Sequence, residues 1–357
     1  MRRPGPRTIH SRVMVIFLFA CAGPSADKRS VANEYSDTFP STEACDGLTP
    51  LVVPDAEAAE RGLARLQEGL GQALFPRVAL DWLWLVWGEG VPTDEAQYQA
   101  DFRERYGLAE APFDNDGYPL GLHAVDSTWA TVDCLLCHAD TVAGVTVLGA
   151  ANSRLDIEGL FTDFLALNEV AGGLGLPTVD LPYSLEGRTG AAGATDAFGL
   201  GMELSLFYAP DAEIQTSYGY QQSAPWGTMA YKDPVYADGA GDASGHRTMA
   251  AMMLGFGVPL STIQSMDDDL ADVRQAQLGM APPAWPFDPP DVAEVAAGQT
   301  VYETACAACH GSVCQPGAPE LVDAAGVGTD PTRAAAFGER EAAWVNRPSC
   351  LIRFVRA

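Results

Sequence analysis

Apolar residues recur with a helical period along much of this chain. Over residues 55–72, Leu63, Leu66 and Leu70 stand three and four apart with charges between them, which predicts an amphipathic helix. Leu80 to Trp87 is a dense apolar run that holds Trp82, Trp84 and Trp87 and predicts a buried helical segment. Asp114 to Pro119 is rich in turn formers and predicts a loop. Ile157, Leu160, Phe161, Phe164 and Leu165 follow i, i+3, i+4, i+7, i+8, the pattern of a helix with one buried face. Residues 171–200, rich in Gly, Ala, Pro and Thr, read as a long ordered loop. Met249, Met252, Met253 and Phe256 form a further helical stripe, ended by Gly255, Gly257 and Pro259. Ser261-Thr262-Ile263-Gln264 has the form of a capping box that opens another helix. Asp291 to Thr304 is again helical, with Val292, Val295 and Tyr302 on one side. Few segments alternate strictly between apolar and polar residues, so the expected fold is mainly α.

Composition shifts divide the chain. Arg2, Arg3, Arg7 and Arg12 precede the apolar run Val13 to Ala20, which has the form of an export signal and is too short to span a bilayer. Leu18-Phe19-Ala20-Cys21 resembles a lipobox, with Cys21 as the acylated residue, and Ala20-Cys21-Ala22 offers cleavage before Gly23 as the alternative. Residues 22–54 mix Ser, Thr, Asp, Glu and Pro without apolar periodicity and read as a flexible tether. The Pro-rich break Ala281 to Pro286 separates a first domain, 55–280, from a second, 285–357. The expected location is the periplasm or cell envelope, with a lipid anchor on Cys21.

The formal net charge of −26 disfavours nucleic acid, whose phosphates it repels. It suits a basic protein partner at the encounter stage, or serves only to keep the chain in solution.

Eight cysteines carry the chemistry. Four form two C-x-x-C-H motifs, Cys134-Leu135-Leu136-Cys137-His138 and Cys306-Ala307-Ala308-Cys309-His310. Two thiols within one turn reach the two vinyl groups on one porphyrin edge, and the adjacent histidine ligates iron from the proximal side. A redox dithiol or a zinc site explains the cysteine pairs but not the two histidines. Two covalent haems c are therefore expected, with thioether links on Cys134, Cys137, Cys306 and Cys309 and proximal iron ligands His138 and His310. Against such a ring, stacking by the Trp82–Trp87 run is the alternative to simple burial. Cys45, Cys314 and Cys350 remain, an odd number. Export permits a disulfide, with Cys45–Cys314 as one candidate and free thiols as the alternative.

The sixth iron ligand separates a closed electron-transfer centre from an open, reactive one. Besides His10 and the two proximal residues, only His123 and His246 exist as histidine candidates for distal ligands. No His or Met lies between His138 and Met202, so the first haem lacks a local downstream ligand. No His or Met follows His310. Met249, Met252, Met253, Met266 and Met280 are available, but their spacing suits core packing better.

Residues from about 98 to 337 resemble the di-haem cytochrome c peroxidase and rubber oxygenase superfamily. The resemblance rests on Asp116-Gly117-Tyr118-Pro119-Leu120-Gly121-Leu122 before the first motif and Gly149-Ala150-Ala151-Asn152-Ser153 after it. It continues in Gly187-Arg188, Thr195-Asp196-Ala197 and Ala224-Pro225-Trp226-Gly227. Ala297-Gly298-Gln299-Thr300-Val301-Tyr302 approaches the second motif, and Gly328-Thr329-Asp330-Pro331 follows it. The resemblance implies two mainly α cytochrome-c-like domains whose haems communicate across an interface. It implies a tryptophan relay between them, the role that Trp226 matches, and an open first haem. The departure is at the C-terminus, where family members continue further. Only 47 residues follow His310, and a chain truncated or frame-shifted after about Phe337 is expected, with the second domain incomplete.

The leading expectation is a haem-binding electron-transfer protein of the extracytoplasmic space. The alternatives are a peroxidase or oxygenase reacting at an open first haem, and a haem sensor or non-catalytic remnant. A small basic redox protein is the expected partner.

Overall fold

The computed structural model describes most of residues 50–311 and a few positions between 326 and 335. Residues 1–49, 179–189, 197–218, 312–325 and 336–357, and several shorter stretches, lie outside it. The export signal, Cys21, Cys45, Cys314, Cys350, Met252 and Phe256 are among the undescribed residues, as is most of the expected 171–200 loop. Among the described residues the chain is mainly helical, with three small antiparallel sheets. No helix there is long and apolar enough to cross a membrane.

Helix α1 (Ala56–Glu68) begins where Asp55 accepts the Ala58 amide, an N-cap that satisfies one orphan donor. Leu66 and Leu70 are buried as their spacing predicts, and Leu63 packs partly buried beside them. Strand β1 (Phe75–Pro76) leads into the short helix α2 (Arg77–Asp81) and a 3₁₀ turn at Leu83–Val86. The tryptophan run is thus not one continuous buried helix. The chain breaks at Trp82, whose amide donates to Ala79 O at 3.2 Å, an i→i−3 bond. Leu80, Leu83 and Trp87 point inward, while Trp82 is 52% exposed and stacks on Trp84. Crowded aromatic and β-branched side chains fit a tighter turn whose outward positions face water.

Helix α3 (Glu95–Tyr106) had no counterpart among the sequence expectations. Its buried face is Tyr98, Phe102 and Tyr106, an i, i+4, i+8 stripe in a highly charged segment. Asp94 caps its start and Gly107, in the left-handed region, ends it. Strands β2 (Leu122–Ala124) and β3 (Trp129–Val132) pair with each other, and β3 also pairs with β1. Strands β4 (Ala139–Val142) and β5 (Val145–Leu148) form a hairpin directly after the first motif. Helix α4 (Ile157–Gly173) buries Ile157, Leu160, Phe161 and Phe164, as expected. Leu165, however, is 38% exposed, and Leu167 takes a buried place instead.

Strands β6 (Ala194–Thr195) and β7 (Gln221–Gln222) pair, and a 3₁₀ turn runs over Trp226–Tyr231. Helix α5 (Leu260–Ser265) starts after Pro259 with no side-chain cap, which corrects the capping-box reading. Ser261 falls inside the first turn, two residues past the cap position. Helix α6 (Asp267–Gly279) packs against α1 through Leu270 and Val273, flanked by the ion pairs Arg61–Asp272 (2.7 Å) and Arg65–Asp269 (3.1 Å). Helix α7 (Val292–Ala305) is capped by Asp291 and leads into α8 (Ala307–His310). It has no buried residue, and its predicted apolar face stays open, with Val292 83% exposed.

Two apolar cores flank the first motif. One joins the aromatic residues of α3 and α4 to Leu136, with Cys137 at its margin. The other joins Leu135 to Trp226, Met249, Met253, Met266 and the α1–α6 pair, with Cys134 at its margin.

Candidate functional site: the Cys134–His138 turn

The motif folds as a 3₁₀ turn over Cys134–Leu136, placed immediately after β3. Asp133 starts the turn: its Oδ1 accepts the Leu135 amide at 2.7 Å and its carbonyl accepts the Leu136 amide at 3.1 Å. Asp133's own amide donates to Gly121 O at 3.0 Å. Gly121 has φ +87°, and a Cβ there would stand 2.2 Å from Leu136 Cα. The turn can approach the preceding loop this closely only because that residue is glycine.

Much of the polar backbone of the motif is engaged by its surroundings. Asn152 donates its side-chain amide to Leu136 O (3.1 Å) and Gly107 O (2.9 Å), and its backbone amide to Cys137 O (2.9 Å). Gly149 N–H donates to His138 O at 2.8 Å. Asp140, 6% exposed, pairs with Arg154 at 2.6 Å and ties the hairpin to the Asn152 loop. Asn115 holds the approach from the other side, donating to Tyr118, Pro119 and Leu122 carbonyls. The expected Asp114–Pro119 loop is therefore a rigid support for the motif.

The His138 ring lies against Trp226, centroids 4.6 Å apart. Its Nδ1 is buried and has no hydrogen-bond partner. Burial pushes the ring's pKa down to about 4; the Ala224 backbone opposes this and the Arg274 charge adds to it. The imidazole is thus neutral at pH 7, the form that ligates a metal. Burial also pushes the Cys134 thiol up to about 12 and the Cys137 thiol up to about 11, the latter opposed by Ser223. Both cysteines are free. Two protonated thiols one turn apart, a neutral histidine beside them and a methionine-lined core form a donor set that fits haem c. Arg274 of α6, 1% exposed and donating to Met229 Sδ at 3.4 Å, puts a cation beside this set.

Compared with protein-family models and with curated proteins, the chain matches none.

The remaining sequence candidates sit in other settings. At the second motif, Cys309 and His310 are exposed at the end of α8. The Tyr302 hydroxyl closes that turn by donating to Gly311 O at 2.9 Å. His123 of β2 is 4% exposed, and its Nε2 is in direct contact with Asp133 Oδ2. His246 Nε2 lies 2.9 Å from Asp267 Oδ1 at the start of α6. Both candidate distal histidines thus face aspartates with the nitrogen that usually meets iron. Met249, Met253 and Met266 are core residues, as their spacing suggests, and Met280 packs at Gly149. Among the described residues no group of three or more His, Cys, Asp or Glu is gathered as a metal cage.

Asp133, Asn152 and Arg274 contribute to the site without having been singled out for it. Asp133 carried a signal, an aspartate one position before a turn. Arg274 carried none, because it reaches the motif from 136 residues away in sequence.

Proposed function

We propose that this chain is a di-haem c-type electron-transfer protein exported to the cell envelope. Cys134 and Cys137 would hold the first haem and His138 its iron; Cys306, Cys309 and His310 would do the same for the second. The group itself supplies one-electron chemistry. The chain's own residues hold the donor set in place: Asp133 and Asn152 fix the turn, Trp226 packs on the proximal ring, and Arg274 places a positive charge near the centre. Such a buried charge raises a reduction potential by disfavouring the oxidised, more positive state. The observation that carries the reading is His138, held neutral directly after two free thiols of one turn. The acidic chain and its lipobox extend the proposal to a basic redox protein as partner and a lipid anchor on Cys21.

The test is the haem content of the mature protein. Two haems per chain that survive denaturing electrophoresis are expected, and Cys134→Ala/Cys137→Ala lowers the count to one. A chain matured in a host with the attachment machinery that carries no covalent haem sinks the reading.

A second reading is a peroxidase or oxygenase reacting at an open first haem. It is favoured by the two aspartate-paired histidines, which leave no described histidine free for the distal side. Spectra of the ferric protein separate the two: a high-spin haem that peroxide alters, with turnover of an electron donor, supports the enzyme. Two low-spin haems indifferent to peroxide exclude it.

A further inference from the structure

His123 stands opposite Thr131 in the β2–β3 register, and Asp133 lies two residues beyond Thr131. Strand geometry makes the two side chains diagonal neighbours on one face. Both are almost wholly buried, His123 at 4% and Asp133 at 3% exposure. Their contact joins Nε2 to Oδ2, while Asp133 Oδ1 holds the Leu135 amide inside the motif. A carboxylate accepts, so this contact is one that an Nε2–H would serve as donor. From the other side the ring is pressed by the end of α1. A Cβ on Gly69, at φ +84°, would come within 2.9 Å of His123 Cγ. The imidazole is therefore clamped between a helix end and a carboxylate that itself caps the motif.

We infer that His123 is a positioning residue of the first motif: it orients Asp133, and Asp133 orients the Cys134–Leu136 turn that presents Cys134, Cys137 and His138. The inference rests on the haem reading of that turn for its function, but its geometry stands without it. It assigns His123 away from the iron. Each carboxylate oxygen of Asp133 faces one neighbour, Oδ1 bonded to the Leu135 amide and Oδ2 in contact with His123 Nε2, so removing the imidazole leaves a buried carboxylate oxygen without its facing group. Such a group reorients or draws in water, and the turn loses its fixed start.

The test compares His123→Phe, which fills the space without a donor, with His123→Gln, which keeps one. In the matured protein, His123→Phe is expected to speed exchange of the Leu135 amide about tenfold. It should also shift the reduction potential and circular dichroism of the first haem and leave the second unchanged. His123→Gln is expected to restore all three towards the parent. A Gln variant that behaves like the Phe variant overturns the proposal, as does Leu135 exchange that neither substitution moves. Loss of a low-spin signature in both variants makes His123 an iron ligand and overturns it too. If His123→Phe does not fold, native Leu135 exchange in His123→Gln supports the donor role, and accelerated exchange there overturns it. Should Cys134→Ala/Cys137→Ala leave the haem count unchanged, the haem reading fails, while Leu135 exchange still decides the role of His123.

Discussion

The His138 imidazole and the Trp226 indole are stacked, with centroids 4.6 Å apart and planes inclined by 26°. Trp226 is 4% exposed, and its amide donates to Gly149 O at 2.8 Å, while Gly149 N–H donates to His138 O. One glycine thus ties both backbones and brings the two rings together. A ring packed flat on an indole is restricted about χ2, so its nitrogens point along a fixed line. Trp226→Ala should cost about 3–5 kcal/mol of stability by opening a cavity in the methionine-rich core. Trp226→Phe should cost less and retain the ring orientation. Urea unfolding of both variants checks the order.

The neutral His138 links stability to pH in the haem-free chain. Its folded pKa of about 4 lies below the unfolded value near 6.5. Between these values the unfolded chain binds the proton and the folded chain does not, so stability rises with pH across this window. Acidification from about pH 6.5 to 4 should therefore remove stability, by at most about 3 kcal/mol. His138→Phe should lack this component. Denaturant titrations of the Cys134→Ala/Cys137→Ala protein at several pH values measure it.

Thiol reactivity should separate the two motifs. A thiol at about 12 or 11 is almost wholly protonated at pH 8, and only the thiolate is alkylated. In the haem-free chain, Cys309, which is exposed, should be labelled at least about tenfold faster than Cys134 and Cys137. Timed alkylation followed by peptide mass analysis gives the rates. Equal rates at all four positions would refute the raised thiol pKa of the first pair.

Gly121→Ala should be among the most damaging single substitutions. The new Cβ would meet the Leu136 backbone at 2.2 Å from a left-handed residue, so either the loop or the motif turn must move. Strain of this kind and lost packing together cost about 2–4 kcal/mol. The expected result is a lowered melting temperature and less haem on the first motif, with the second unaffected.

Some of this arrangement was legible in local pattern. The leucines of α1 and the core face of α4 follow helical periodicity, and the structure buries them, apart from Leu63, which is partly buried, and the exchange of Leu165 for Leu167. Helix α3 was missed although Tyr98, Phe102 and Tyr106 are four apart, because nine of the twelve residues between Glu95 and Tyr106 are not buried and their charge hides the stripe. The Trp82–Trp87 run and the Ser261 box failed for another reason. Composition names apolar residues and cap formers, but the dihedrals at Trp82 and Pro259 decide where a helix stops or starts.

By itself the sequence determined the donor chemistry. Two thiols and a histidine at fixed spacing are a covalent fact, so C-x-x-C-H was readable at both motifs without knowing any fold. Tertiary structure decided how the surroundings of the two turns differ among the described residues. It placed the first turn between two cores, with Trp226 and Arg274 brought to it from distant segments, and left Cys309 and His310 exposed. Burial and field come from neighbours that chain spacing does not encode, and they set whether a cysteine is protonated and a histidine neutral.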